Sequence, residues 1–395
     1  MQRHTIRGKT RTIIYPIIIY LGVTSIMGCK RLEINLTKRN WEKLSAYFTP
    51  PPLYQEKFGT YRNPLLFYNG DTVKNADDWL KRRKEIKDKW LNLIGHWPAI
   101  ITNQKLEIIK TTEREDFKQH LVRFYWTPLE QTYGYLLEPN KKGKHPAVIT
   151  VFYEPETAIG WGGKANRDFA YQLTKRGFVT LSLGTRQTTK DKTYSLYYPT
   201  INNSTMQPLS VLAYAAANAW EVLARVESVD STRIGIMGHS YGAKWAMFAS
   251  CLYEKFACTA WSDPGIVFDE TKDNYINYWE PWYLGYYPTP WKKIWSNNGN
   301  NSSTSVYARL CKEGHDLHEL HSLLAPRPFL VSGGYSEYVD RWIPLNHSVA
   351  VNRLLGYHHR VAMTNRPKHD PTPESNETIY KFFEWFLKRK TPKED

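Results

Sequence analysis

Cysteine is scarce in this 395-residue chain: there are four, and Cys29 belongs to an N-terminal segment that stands apart. The others, Cys251, Cys258 and Cys311, show no paired CxxC spacing, which excludes a disulfide framework and a zinc-ribbon type of site. Buried thiols are the expectation for them, with a Cys251–Cys258 bridge open only in an oxidising compartment. Acidic residues are also short, 38 against 53 Lys and Arg, for a formal charge of +15. That excess favours an acidic partner, yet zinc-finger spacing, a homeodomain or RRM signature and a dense basic helix are all missing. The charge is spread along the chain, so nucleic acid is not expected, and an anionic polysaccharide or membrane surface suits it as well. HExxH is absent too, and there is no internal repeat or low-complexity tract. No cofactor and no metal are expected.

A long apolar run is likewise missing. The stretch from Ile13 to Met27 follows Arg3, Arg7, Lys9 and Arg11, and it is too short for a comfortable membrane span. It has the build of a secretory signal. Its end, Ile26-Met27-Gly28-Cys29, resembles the lipobox of bacterial lipoproteins, in which the cysteine becomes the lipidated first residue. Residues 1–29 are therefore expected to be a signal peptide, and the protein an exported lipoprotein, periplasmic or on the outer membrane of a bacterium. Its contact with the membrane would be by lipid anchor alone.

What the chain has in plenty is flat aromatic surface, with 15 Trp and 27 Tyr. Such rings fill cores, and they also suit the faces of sugars. Residues 30–98 read as an N-terminal helical extension. Within it, "NADDWLKRRKEIKDKWLNLIG" predicts an amphipathic helix that starts near Asp77 or Asp78. It would bury Trp79, Ile86, Trp90 and Leu93 and stop at Gly95. From residue 99 to 395 three alternating segments come first and then continuous apolar runs separated by helical patterns. That order predicts an α/β domain with a mostly parallel central sheet and helices on both faces. An insertion over 268–320 interrupts the rhythm. It contains "YINYWEPWYLGYYPTPWKKIW" and reads as a lid, with Trp279, Trp282 and Tyr283 as candidate sugar-stacking residues.

The chemistry centres on "STRIGIMGHSYGAKWAMFAS", where Gly238-His239-Ser240-Tyr241-Gly242 lies between a buried strand and a helix. This is the context of a nucleophile elbow, with Ser240 as the nucleophile; the bland alternative is a serine in a tight glycine turn. A serine hydroxyl needs a base and a carboxylate to orient that base, in chain order Ser, acid, His. His369 follows the last strand and is the base, whereas His358 and His359 precede that strand and face the wrong end of the sheet. For the acid, Glu337 ranks first, Asp263 second and Asp340 third, although Asp263-Pro264-Gly265 also reads as plain turn chemistry. The oxyanion hole would use the backbone N–H of Tyr241 and one from Tyr153 or Glu154. The run "EGHDLHELHS" spaces His315, His318 and His321 by three. It is read as a polar helix end rather than a metal site.

The stretches "DDWLKRRKEIKDKWLNLIGHWP", "GHSYGAKWA" and "HDLHELHSLLAPRPFLVSGG", with the terminal histidine loop, resemble the α/β-hydrolase superfamily of bacterial carbohydrate esterases. Within it they are similar to acetyl xylan esterase-like proteins and glucuronoyl methylesterases. The resemblance covers nearly all of the chain after the signal. It implies an α/β-hydrolase fold, Ser240 as nucleophile, His369 as base and an acid after either of two strands. Lys244 matches a lysine common in the glucuronoyl esterase elbow, as a substrate-binding residue. Tyr241 departs from that pattern, which has arginine after the serine. The expected function is a serine carboxylesterase acting on polysaccharide or oligosaccharide, as acetyl or uronate methyl ester. Two alternatives are a prolyl-oligopeptidase-type serine peptidase, for which no propeller precedes the elbow, and a non-catalytic lipid-anchored glycan-binding protein.

Overall fold

The structure is a computed structural model, and it describes residues 41–269 and 306–389. The segment 1–29 and the candidates Trp279, Trp282 and Tyr283 lie outside the described residues. The described residues from Ser45 onward form one compact unit.

Nine strands build one sheet in the order β1-β2-β3-β5-β4-β6-β7-β8-β9. The first three, β1 (Glu107–Glu113), β2 (Phe117–Thr127) and β3 (Glu130–Pro139), are antiparallel, as is the pairing of β3 with β5 (Val179–Gly184). From β4 (His145–Phe152) onward every neighbour is parallel, through β6 (Val229–His239), β7 (Thr259–Ser262), β8 (Phe329–Gly333) and β9 (Val361–Asn365). All residues of β4 and β5 are buried. Because successive side chains point to opposite faces, both faces of the sheet must be covered there, and this is the α/β-hydrolase architecture.

Among the described residues after Ser45, the α-helices, in chain order, are α1 (Ala76–Ile94), α2 (Pro155–Ala158), α3 (Phe169–Lys175), α4 (Pro208–Leu223), α5 (Tyr241–Leu252), α6 (Val306–Lys312), α7 (His318–Ser322), α8 (Trp342–Leu354) and α9 (Pro373–Phe383). The start of α1 is fixed by Asn75, whose side chain accepts the Asp78 N–H at 2.9 Å, with Asp77 and Asp78 complementing the helix dipole. Gly95 ends it at φ 95°, where an added Cβ would lie 2.6 Å from the Thr205 carbonyl oxygen. No side chain fits that corner. The stripe Trp79, Ile86, Trp90 and Leu93 joins the main core, each residue worth about 2–3 kcal/mol of burial.

Arg82 is carried on the same stripe, fully buried. Its Nε donates to the Pro64 carbonyl at 3.2 Å and its Nη1 meets Glu85 at 2.5 Å. Glu319 of α7 lies 4.0 Å from Nη2, and it also takes His315 Nδ1 at 2.6 Å and the Trp90 indole N–H at 3.4 Å. His318 bonds the Arg62 carbonyl at 2.6 Å through Nε2, and His321 Nε2 lies 3.3 Å from the Met247 sulfur. The three histidines thus serve packing: they join the stretch before α1 and helix α5 to α7. Cys251 and Cys258 are buried thiols with no disulfide between them.

Candidate active site

β6 runs straight into α5, and Ser240 is the hinge between them, at φ 60° and ψ −125°. A non-glycine residue adopts such a conformation only when its surroundings enforce it. Here the flanking glycines do so. A Cβ on Gly238 would stand 2.2 Å from the Gly242 carbonyl oxygen, and one on Gly242 2.1 Å from that of Val151. The chain therefore turns in contact with β4, and the Ser240 N–H is tied to the Ser262 carbonyl at 2.8 Å. The side chain is left facing the cavity at the carboxyl ends of the strands.

His369 arrives from the loop after β9. Its Nε2 lies 2.8 Å from Ser240 Oγ, and its Nδ1 makes a short contact with Asp263 Oδ2. Asp263, at the end of β7, also has a positive φ, 55°, which swings its carboxylate toward the histidine. Its other oxygen accepts the N–H groups of Gly334 and Ser336, both at 2.9 Å. Burial pushes the Asp263 pKa up. Hydrogen bonds from His369 and Glu337 and the charges of His369 and Arg366 more than offset this and hold it at about 2. Well above pH 2, Asp263 is an anion against the imidazole.

The order of candidates for the acid is thereby changed. Glu337, ranked first from the sequence, lies behind Asp263 rather than against His369, and its Oε1 accepts the Ile266 N–H at 2.8 Å. Burial, followed by the Asp263 charge and a hydrogen bond with that carboxylate, drives its pKa far above the carboxylic range. It stands there as a neutral acid, because two adjoining buried carboxylates do not both ionise. Asp340 sits in the turn before α8, beside Arg341, and does not meet His369. The Asp-Pro-Gly turn is present, so turn chemistry and a carboxylate on the base coexist in one residue.

Sequence reasoning passed over Arg366. It is buried, and its guanidinium donates to the Ser332 and His369 carbonyls, both at 2.7 Å, and to that of Asp370 at 2.9 Å. This clamps the histidine loop onto the ends of β7 and β8. His239 is a second omission. Buried and held neutral by desolvation, it packs 4.8 Å from the His369 ring and bonds Ser262 Oγ at 3.0 Å.

A cavity of about 490 Å³ opens over Ser240, lined among the described residues by Tyr241, Lys244, Asp263, Tyr335, Lys368 and His369. Lys244 is almost wholly buried, with its Nζ on the Gly265 carbonyl. Burial lowers its pKa to about 7, opposed by the neighbouring Glu337 and Asp316 carboxyls. Tyr241 turns its side chain into the core, where the hydroxyl donates to the Tyr194 carbonyl. Tyr153 lies flat on the Tyr241 ring, 5.5 Å between centroids and 11° between planes. The Glu154 carboxylate pairs with Lys164 at 3.1 Å and Arg186 at 3.5 Å. Such a site can remove a proton from a hydroxyl, hold the resulting imidazolium and receive a small polar substrate.

No family profile and no curated protein matches the sequence. Solved structures do match. A glucuronoyl esterase from Solibacter usitatus superposes with a TM-score of 0.67 at 16% identity, over 83% of this chain and 97% of that one. A carbohydrate esterase family 15 glucuronoyl esterase from Caldicellulosiruptor kristjansonii gives 0.61 at 20% identity, over 88% and 95%. A glucuronoyl esterase from Sporotrichum thermophile gives 0.54 at 16%, over 87% and 93%. At these identities the likeness is one of fold, and the fold is that of α/β-hydrolase carbohydrate esterases.

Proposed function

We propose that the chain is a serine carboxylesterase that removes acetyl or uronate methyl ester groups from a polysaccharide. The observation that carries this reading is the 2.8 Å approach of His369 Nε2 to a strained Ser240 Oγ, with Asp263 on the far ring nitrogen. His369 takes the hydroxyl proton as Ser240 Oγ attacks the ester carbonyl, and Asp263 stabilises the imidazolium that forms. The tetrahedral intermediate collapses when His369 returns the proton to the leaving alcohol, a sugar hydroxyl or methanol. Water activated by His369 then hydrolyses the acyl-enzyme.

The glucuronoyl esterases with which the fold is shared favour a sugar ester as substrate. A cavity of about 490 Å³ gives room for a sugar unit, and Lys244 supplies a polar contact in its wall. We assign the substrate to the periplasm or the outer membrane of a bacterium, reached by export of the chain as a lipoprotein through residues 1–29. The test is release of acetate from acetylated xylan and of methanol from a methyl-esterified glucuronate, measured beside peptide substrates. Wild type is expected to cleave a sugar ester and Ser240→Ala to lose the activity by about 10⁶-fold. Cleavage of peptides alone, or unchanged turnover in Ser240→Ala, would overturn the reading.

A further inference from the structure

We infer that Arg366 is a positioning residue for the whole triad: one buried guanidinium sets His369 in register with both Asp263 and Ser240. This deepens the esterase reading and rests on it. The clamp on the histidine loop thereby has a catalytic consequence, since without it the triad is present but misaligned.

Three observations support it. First, every nitrogen of the guanidinium is engaged, on the histidine loop and on the strand ends it must meet. Nε donates to the Asp370 carbonyl at 2.9 Å and Nη2 to that of His369 at 2.7 Å, so the main chain of the base folds back onto a side chain that precedes it. Nη1 donates to the carbonyls of Ser332 at 2.7 Å and Gly333 at 3.3 Å, and Nη2 also to Ser262 Oγ at 3.2 Å. A planar fork of donors fixes these groups relative to one another, which a single flexible donor does not.

Second, the strand-end acceptors stand next to the triad. Ser262 precedes Asp263 in the chain, and its carbonyl takes the Ser240 N–H at 2.8 Å. Gly333 precedes Gly334, whose N–H donates to Asp263 Oδ1 at 2.9 Å. Ser262 Oγ also meets His239 Nδ1 at 3.0 Å, and the His239 ring lies 4.8 Å from that of His369. Nucleophile, acid and base therefore share one point of reference. Third, among the described residues the buried guanidinium is satisfied by carbonyl and hydroxyl oxygens alone. A buried cation with no directly paired carboxylate is a poor device for stabilising a fold, because desolvation opposes it. Its effect is orientation, and the base is what it orients.

The test is Arg366→Met in the full chain, assayed on p-nitrophenyl acetate by itself and in an Asp263→Asn background. The substitution removes the fork, and kcat is expected to fall by about 10²-fold with KM within about threefold, the cost of displacing a catalytic group by about 1 Å. A residue needed only for folding lowers the melting temperature and leaves the turnover of folded enzyme alone. One that acts through the alignment of His369 with Asp263 loses its effect once that alignment is broken. In Asp263→Asn, therefore, Arg366→Met should cost less than about threefold more, and a further loss of about 10²-fold there would overturn the inference. Should Arg366→Met not fold, Arg366→Lys replaces it in both backgrounds. It keeps the charge on one nitrogen, and should lose about tenfold by itself and less than about threefold beside Asp263→Asn. Ser240→Ala in the same assay separates the two failures. If Ser240→Ala is inactive and the Arg366 variant stays within about threefold of wild type, this inference falls and the esterase reading stands. If Ser240→Ala is as active as wild type, the esterase reading itself falls.

Discussion

Replacing Asp263 by asparagine sets the two buried carboxyls against each other. Asp263 accepts on both oxygens: the Gly334 and Ser336 N–H groups on Oδ1, both at 2.9 Å, and His369 Nδ1 on Oδ2. An asparagine can accept on one side only. If its NH2 faced the two backbone donors, both bonds would be lost, at about 1–3 kcal/mol each. The amide oxygen therefore stays on the backbone and the NH2 faces His369. The imidazole must then accept at Nδ1 and carry its proton on Nε2, so the 2.8 Å contact with Ser240 reverses direction and the base is gone. The wrong tautomer and the lost support for the imidazolium together predict a fall in kcat of about 10⁴-fold, roughly 5.5 kcal/mol. Glu337→Gln provides the contrast. Its amide oxygen retains the Ile266 N–H and its NH2 replaces the acid O–H beside Asp263, so the fall is expected to stay under about tenfold. Steady-state kinetics on one chromogenic ester measures both. A Glu337→Gln loss as deep as that of Asp263→Asn, or an Asp263→Asn loss under about a hundredfold, would refute the assignment of the acid.

Acid sensitivity follows from the same group. The folded Asp263 pKa, about 2, lies below its ordinary 3.8, so the linked stability is present above 3.8 and is lost as pH falls through about 2. The shift is worth about 2 kcal/mol, which wild type should lose between about pH 4 and 2 and Asp263→Asn should not, by urea titration across that range. Gly242→Ala puts a Cβ 2.1 Å from the Val151 carbonyl oxygen, so a thermal melt should drop by several degrees or the protein should fail to fold; an unchanged melt would show that the elbow relaxes. Glu319→Gln leaves the buried Arg82 guanidinium with one carboxylate, Glu85, in place of two, and unfolding free energy should fall by about 3 kcal/mol. A fall under about 1 kcal/mol would mean that the pair is dispensable.

Much of this arrangement is readable in the chain because it depends on local pattern. The glycines at 238 and 242 announce the elbow, the continuous runs of β4 and β5 announce burial on two faces, and the position after β9 singles out His369. What could not be read depends on neighbours distant in sequence. β7 and β8 are adjacent and parallel, with Ser262 beside Ser332, so the residues that follow them enter one small volume. A carboxylate from either loop is compatible with that topology, and the backbone turn at Asp263 decides between them. Arg366 gave no signal because its acceptors are strand-end carbonyls that only the assembled sheet brings together. On α1 the apolar stripe is evident, while the burial of Arg82 within it depends on Glu319, more than two hundred residues away.

The pairing of Asp263 with Glu337 also explains why residue type and chain position do not by themselves identify the ionised carboxyl. Both are buried and they face each other, and adjoining carboxyls in a low-dielectric site separate into one ionised and one neutral form. The form each adopts is set by surrounding donors rather than by residue type. Asp263 has two backbone N–H groups, the imidazole and the Arg366 charge, whereas Glu337 has one backbone N–H and the Asp263 anion. The donor-rich position takes the charge, and the donor-poor one keeps its proton and lends it to the other. Exchanging the residue types would not exchange the roles, because the Gly334 and Ser336 amides would still favour the anion at the end of β7. The base is oriented by the loop geometry of two neighbouring strands, and Ser240 is armed from there.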